Sequence, residues 1–132
     1  MYDTEYCSVT YLEDLDAVLC RWKKFCRAED YRAPLRHGLE LLREHNVSTW
    51  ITDTTDGFEN EPEDTQWLLE IFLPEVVSGP CKNVTFIIDD ASPLKEEIAQ
   101  QAEALSHYFN VWQIDTLENA AENKHQKGAQ KA

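Results

Sequence analysis

The chain has 132 residues, 42% of them apolar and fourteen of them aromatic, with a formal net charge of −13. That length suits one domain burying roughly 65–70% of its unfolded surface, and that apolar content excludes wholesale disorder. The acidic balance argues against sequence-independent nucleic-acid binding and against docking on an anionic membrane, because both need clustered cations.

Residues 6–12 alternate, with Cys7, Val9 and Tyr11 on one face and Ser8 and Thr10 on the other, the period of a half-buried strand. Glu13-Asp14-Leu15-Asp16 supplies turn chemistry. Beyond it Val18, Cys20 and Trp22 alternate with Leu19, Arg21 and Lys23, which predicts an antiparallel hairpin. Tyr31, Leu35, Leu39 and Leu42 then recur at helical spacing, so 29–45 reads as a helix with one apolar stripe, stopped at Asn46. Pro34 is expected in or near its first turn, where a missing N–H matters least.

A short strand over 49–52 follows. Pro62 opens a second helix with Trp67, Leu68, Ile71 and Phe72 on its buried face. Pro74 should kink or end it, and Ser78-Gly79-Pro80 stops what remains. Val84-Thr85-Phe86-Ile87-Ile88 is a nearly continuous apolar run, as in a central parallel strand covered on both faces. Ser92-Pro93 opens a third helix with Leu94, Ile98, Ala102 and Leu105 inward. A last strand covers 111–114, and Asp115-Thr116 caps a short helix holding Leu117, Ala120 and Ala121. From Asn123 the chain is polar, giving a single domain over 1–122 and a flexible tail over 123–132. Strands alternating with helices predict an α/β fold: a mixed, mostly parallel five-stranded sheet, an N-terminal antiparallel hairpin and about four helices.

Cys7, Cys20, Cys26 and Cys81 form no CxxC pair, and His37, His45, His107 and His125 have no ligand-like spacing. The cysteines read as small buried hydrophobes of a reducing compartment. Four glycines, no two of them close, exclude a phosphate-cradling loop, so no cofactor is expected. No apolar stretch approaches membrane-spanning length, and the acidic start Met1-Tyr2-Asp3-Thr4-Glu5 is unlike a signal peptide. The expectation is a cytoplasmic protein.

Charge is sorted along the chain. Seven of the twelve cations fall between Arg21 and Arg43, whereas from Glu44 to Cys81 there are nine acids and no lysine or arginine. Six of those acids (Asp53, Asp56, Glu59, Glu61, Glu63 and Asp64) crowd the loop leaving the 49–52 strand, the end of a strand where α/β proteins usually act. The opposed regions also offer a route to a homodimer, provided apolar contact supports it. Asp53 with Asp89 and Asp90 stands at two strand ends. If those ends adjoin, their carboxylates suit a Mg²⁺ or Ca²⁺ ion or a phosphoacceptor site; otherwise they are turn and capping residues. Trp50 and Trp67 read as core. Trp22 and Trp112 lie on strands that, at a sheet edge, would present an apolar face to a partner or lipid-like ligand.

In these elements the chain resembles the SpoIIAA-like group of STAS domains. The features are Trp22 before Tyr31, Gly38-Leu39-Glu40-Leu41-Leu42, Trp50-Ile51-Thr52-Asp53, and Trp67 with Phe72-Leu73-Pro74. Gly79 before Lys82-Asn83-Val84, and Asp115-Thr116-Leu117-Glu118-Asn119-Ala120, complete them. The resemblance implies a regulatory adaptor rather than an enzyme. In the family's sigma-factor regulators a serine at the start of the second helix, in an Asp-Ser motif, is phosphorylated to break a partner contact. Asp64-Thr65 stands nearest, but Gln66-Trp67 follows it where the family has a small residue and glycine. Helix capping is the alternative role for Asp64 and Thr65. A phosphate on Thr65 would meet Glu61, Glu63 and Asp64, with no cation nearby in sequence to anchor it.

The functional expectation is therefore a non-enzymatic regulatory or adaptor module. It would bind another protein, or itself, through the acidic loop and second helix, with Asp56, Glu61, Glu63, Asp64 and Thr65 as the contact residues. The alternative is a carrier or sensor of an apolar, lipid-like molecule held among Trp50, Trp67, Ile71 and Phe72, with Pro74 letting the helix move. An ion site at Asp53, Asp89 and Asp90 is a third expectation.

Overall fold

The hairpin forms as its alternation demands. β2 (Cys7–Leu12) and β3 (Ala17–Trp22) run antiparallel, with Val9 opposite Cys20 and Tyr11 opposite Val18. Between them a 3₁₀ turn, Glu13–Leu15, ends at Asp16 in the left-handed region (φ 50°). The Asp16 carboxylate accepts the Ser48 hydroxyl at 2.6 Å, tying this turn to the chain entering the next parallel strand.

The computed structural model describes residues 2–55, 61–88 and 95–114. The short helix predicted around Leu117, Ala120 and Ala121, the tail over 123–132, the start of the third helix at Ser92-Pro93, and Asp56, Glu59, Asp89 and Asp90 lie outside these residues. The described sheet has six strands in the order β1-β2-β3-β4-β5-β6, one more than the sequence predicts. The addition is β1 (Tyr2–Asp3), antiparallel to β2. Two residues cannot show a period. The strand is held instead by a turn in which the Thr4 hydroxyl accepts the Tyr6 and Cys7 N–H groups, and by an ion pair of Lys23 with Asp3 at 2.6 Å.

β3, β4 (Thr49–Asp53), β5 (Asn83–Ile87) and β6 (Asn110–Ile114) are all parallel, in sequence order. Helices lie between them in the chain: α1 (Glu29–His45), a helical run over 62–77, and α4 (Lys95–Leu105). Their buried residues Tyr31, Leu35, Leu39, Leu42, Phe72, Val76, Ile98 and Ala102 join one core with Val18, Cys20, Trp50, Val84 and Phe86. The described helices therefore share one face of the sheet. The other face carries a smaller cluster of Ala17, Ile51 and Ile87, flanked by Leu15, Leu19 and Ile114. β5 has buried residues on both faces, as its unbroken apolar run predicts.

α1 matches its expected bounds and stops at Asn46, which turns left-handed (φ 53°) and donates its N–H to Leu42. Pro34 sits near the first turn as expected, at the sixth residue of α1. There it cannot donate to the Asp30 carbonyl, and the Cys26 thiol lies 3.6 Å from that oxygen as a substitute donor. At Gly38 a Cβ would lie 2.4 Å from the Trp50 ring, so only glycine lets α1 come this close to β4.

The run over 62–77 is where the structure departs most from helical periodicity. α2 (Pro62–Trp67) passes through a π turn (Leu68–Phe72) into α3 (Leu73–Val77). Pro74 neither ends nor simply kinks the helix. A proline ring would strike the carbonyl four residues back, and the wider turn, in which the Leu73 N–H reaches the Leu68 carbonyl, accommodates it. Phe72 is consequently turned inward. Ile71, expected on the buried face, is 57% exposed.

Candidate functional site

Where the helical run crosses β4 and β5 it leaves an apolar cavity. Trp50, Thr52, Val84 and Phe86 form its floor, and Leu68, Phe72, Leu73 and Val76 form one wall. Trp22, Tyr31 and Leu35 close one end, and Gln101, Leu105 and Phe109 the other. The cavity has a volume of about 60 Å³. That is less than half of the roughly 150 Å³ that admits a benzene ring, so it suits a short alkyl chain rather than a ring.

The walls are aromatic and mutually braced. Trp22 stacks on Tyr31 (5.2 Å between centroids), and Tyr31 meets Trp67 edge-on at 6.4 Å. Trp67 stacks on Phe72 at 5.5 Å, and Phe72 meets Trp50 edge-on at 5.8 Å. The Trp50 indole N–H donates to the Thr52 hydroxyl at 2.8 Å, which satisfies the buried indole. Thr52 and Gln101 are the polar residues of the lining. Such a chamber recognises shape and apolarity rather than charge.

Of the four residues expected to form a pocket, Trp50 and Phe72 line the cavity. Trp67 does not: it stands behind Phe72, with the guanidinium groups of Arg32 and Arg36 at 5.4 and 5.9 Å from its ring. Ile71 faces away. Trp22 is 2% exposed and its strand lies inside the sheet, so the edge position entertained for it does not hold. Trp112 is half-buried on the other face, level with Ile51 and Thr85. Tyr31, Leu35 and Leu105 were legible as members of apolar helix stripes. Val76 and Phe109 join the site through packing that sequence spacing does not report.

The acidic contact residues separate. Glu63 is exposed, whereas Glu61 and Thr65 are half-buried, the Thr65 N–H bonding the Glu61 carbonyl. Asp64 is 2% exposed and turned inward, so its carboxylate is not part of an outer surface. One oxygen accepts the Ala28 N–H at 3.0 Å and the other the Arg32 Nε–H at 3.1 Å. Ala28 precedes α1 with φ 54° and no capping side chain, an unusual backbone for alanine that this carboxylate holds in place. Asp64 thus acts across 36 residues as the acceptor at the start of α1. No cation is near it in sequence, but the fold brings one.

Asp53 is the described member of the strand-end cluster. One of its oxygens accepts both the backbone N–H and the hydroxyl of Thr55, at 2.9 and 2.6 Å, and Arg21 lies 3.9 Å from the other. This is the chemistry of a turn. Among the described residues no group of three or more histidines, cysteines or acids is placed to hold a metal ion. The cysteines are free and buried, with the sulfurs of Cys7 and Cys20 3.4 Å apart. Burial, with Cys7 alongside, raises the Cys20 thiol well above its ordinary value. Burial raises Cys26 to about 12 and Cys81 to about 11. Cys20, Cys26 and Cys81 therefore stay protonated near neutrality and are poor nucleophiles. Among the described residues no helix is long and apolar enough to cross a membrane.

Compared with known protein families, with curated proteins and with solved structures, the chain matches none.

Proposed function

We propose that this protein is a non-enzymatic, cytoplasmic binding module of SpoIIAA-like type that holds a small apolar molecule between its sheet and the 62–77 helical run. The observation that supports this reading is the aromatic-walled cavity bordered by a π turn. Tight packing would normally fill such a space, and a π turn is a frequent companion of functional sites. The ligand is uncharged at its buried end, because Thr52 and Gln101 offer hydrogen bonds and the lining offers no counter-charge.

Native mass spectrometry of protein purified gently from its own host tests the proposal. An apolar mass released on denaturation is expected, together with a shift of tryptophan emission when 1-butanol, a short alkyl probe, is added to the emptied protein. A bare chain whose emission ignores the short alkyl probe overturns it.

A second reading, a regulatory or adaptor role through protein–protein contact, is favoured by a different observation. The outer side of the same helical run exposes Leu69 at 40% and Ile71 at 57%. The two readings are compatible, since one helix would carry a ligand beneath it and a partner above it.

A further inference from the structure

The π turn also changes the outside of the helical run. In a regular helix Ile71 would lie one turn beyond Trp67 and Leu68, on their face. The wider turn gives that inward place to Phe72 and rotates Ile71 into solvent. Five large hydrophobic residues are this exposed among the described residues, and three of them, Leu69, Ile71 and Val77, belong to this one run. Leu69 and Val77 stand two four-residue steps apart along one flank. On the crest Gln66 donates to the carboxylate of Glu70, and Glu63 and Glu75 are also exposed. No lysine or arginine occurs from Glu44 to Cys81.

Resting on the adaptor reading, we infer that this ridge docks into an apolar groove rimmed by lysine or arginine on a different protein. An apolar flank needs apolar walls, and the uncompensated carboxylates need cations. A second copy of the chain fits poorly, because it brings a further −13 of charge to an already acidic ridge. An anionic membrane is repelled for the same reason.

The test places a photoreactive benzoylphenylalanine at Leu69, Ile71 or the distant exposed Tyr108 of the full chain in its own host, followed by mass spectrometry of the adducts. The expected result is a protein adduct from positions 69 and 71 but not 108, mapping to a lysine- or arginine-bearing peptide. Glu63→Lys, Glu70→Lys and Glu75→Lys combined should weaken it about tenfold while the melting curve holds. Adducts from 108 alone would overturn the ridge and leave an adaptor acting elsewhere, whereas no protein adduct at any position overturns both. An adduct to a second copy, to lipid, or one indifferent to the charge reversal also overturns the ridge.

Discussion

The two sides of the 62–77 helical run are built from the same residue types and face opposite tasks. Inward, Asp64, Leu68, Phe72 and Val76 repeat at steps of four and meet the core, a carboxylate included. Outward, Leu69 and Ile71 are as apolar as their inner neighbours but stand among glutamates in solvent. The comparison teaches that residue character did not decide which side faces the core. The phase of the helix did, and Pro74 with its π turn sets that phase.

Unfolding measurements can break this comparison. The largest effect is expected for Phe72→Ala, which should destabilise the fold by about 3–5 kcal/mol in denaturant titrations. Ile71→Ala should stay within about 0.5 kcal/mol, and comparable losses from both would mean that the π turn does not set the phase. Asp64→Ala leaves the Ala28 N–H and the Arg32 guanidinium without their acceptor and should cost about 2–3 kcal/mol. Glu63→Ala, one residue away and exposed, should be nearly silent. Gly38→Ala forces a methyl onto Trp50 and should cost about 1–3 kcal/mol, with a change in tryptophan emission.

The smallest effect concerns pH. The folded-state pKa of Cys26 is raised to about 12 from an ordinary 9.0, so its contribution to stability is complete below pH 9.0 and is lost as pH rises toward 12. Iodoacetamide at pH 8 should accordingly label the thiols only as the protein unfolds. Rapid labelling of the native chain would show that the core around Cys7, Cys20 and Cys26 is open.

Much of the architecture was legible in the residues. Alternation at Cys7, Val9 and Tyr11, the stripe of Tyr31, Leu35, Leu39 and Leu42, and the apolar run of β5 each report a local period, and each formed the element it predicts. β1 escaped because two residues have no period. Pro34 is tolerated just past the first turn because the nearby Cys26 thiol stands in for the missing donor at the Asp30 carbonyl. The candidate site was legible only in half: Trp50 and Phe72 were identified as lining, while Trp67 stands behind Phe72 and Ile71 faces solvent.

What the sequence determined by itself is the order of the longer strands and helices from β2 to β6, the sorting of charge, and the absence of cations from Glu44 to Cys81. These follow from local periodicity and composition, which act over a few residues. Tertiary structure alone decided that Asp64 is an internal acceptor rather than a surface charge, that the described helices share one face of the sheet, and that a cavity lies beneath the second of them. Those outcomes depend on contacts between residues far apart in the chain, where burial assigns each side chain a role that its own neighbours do not specify.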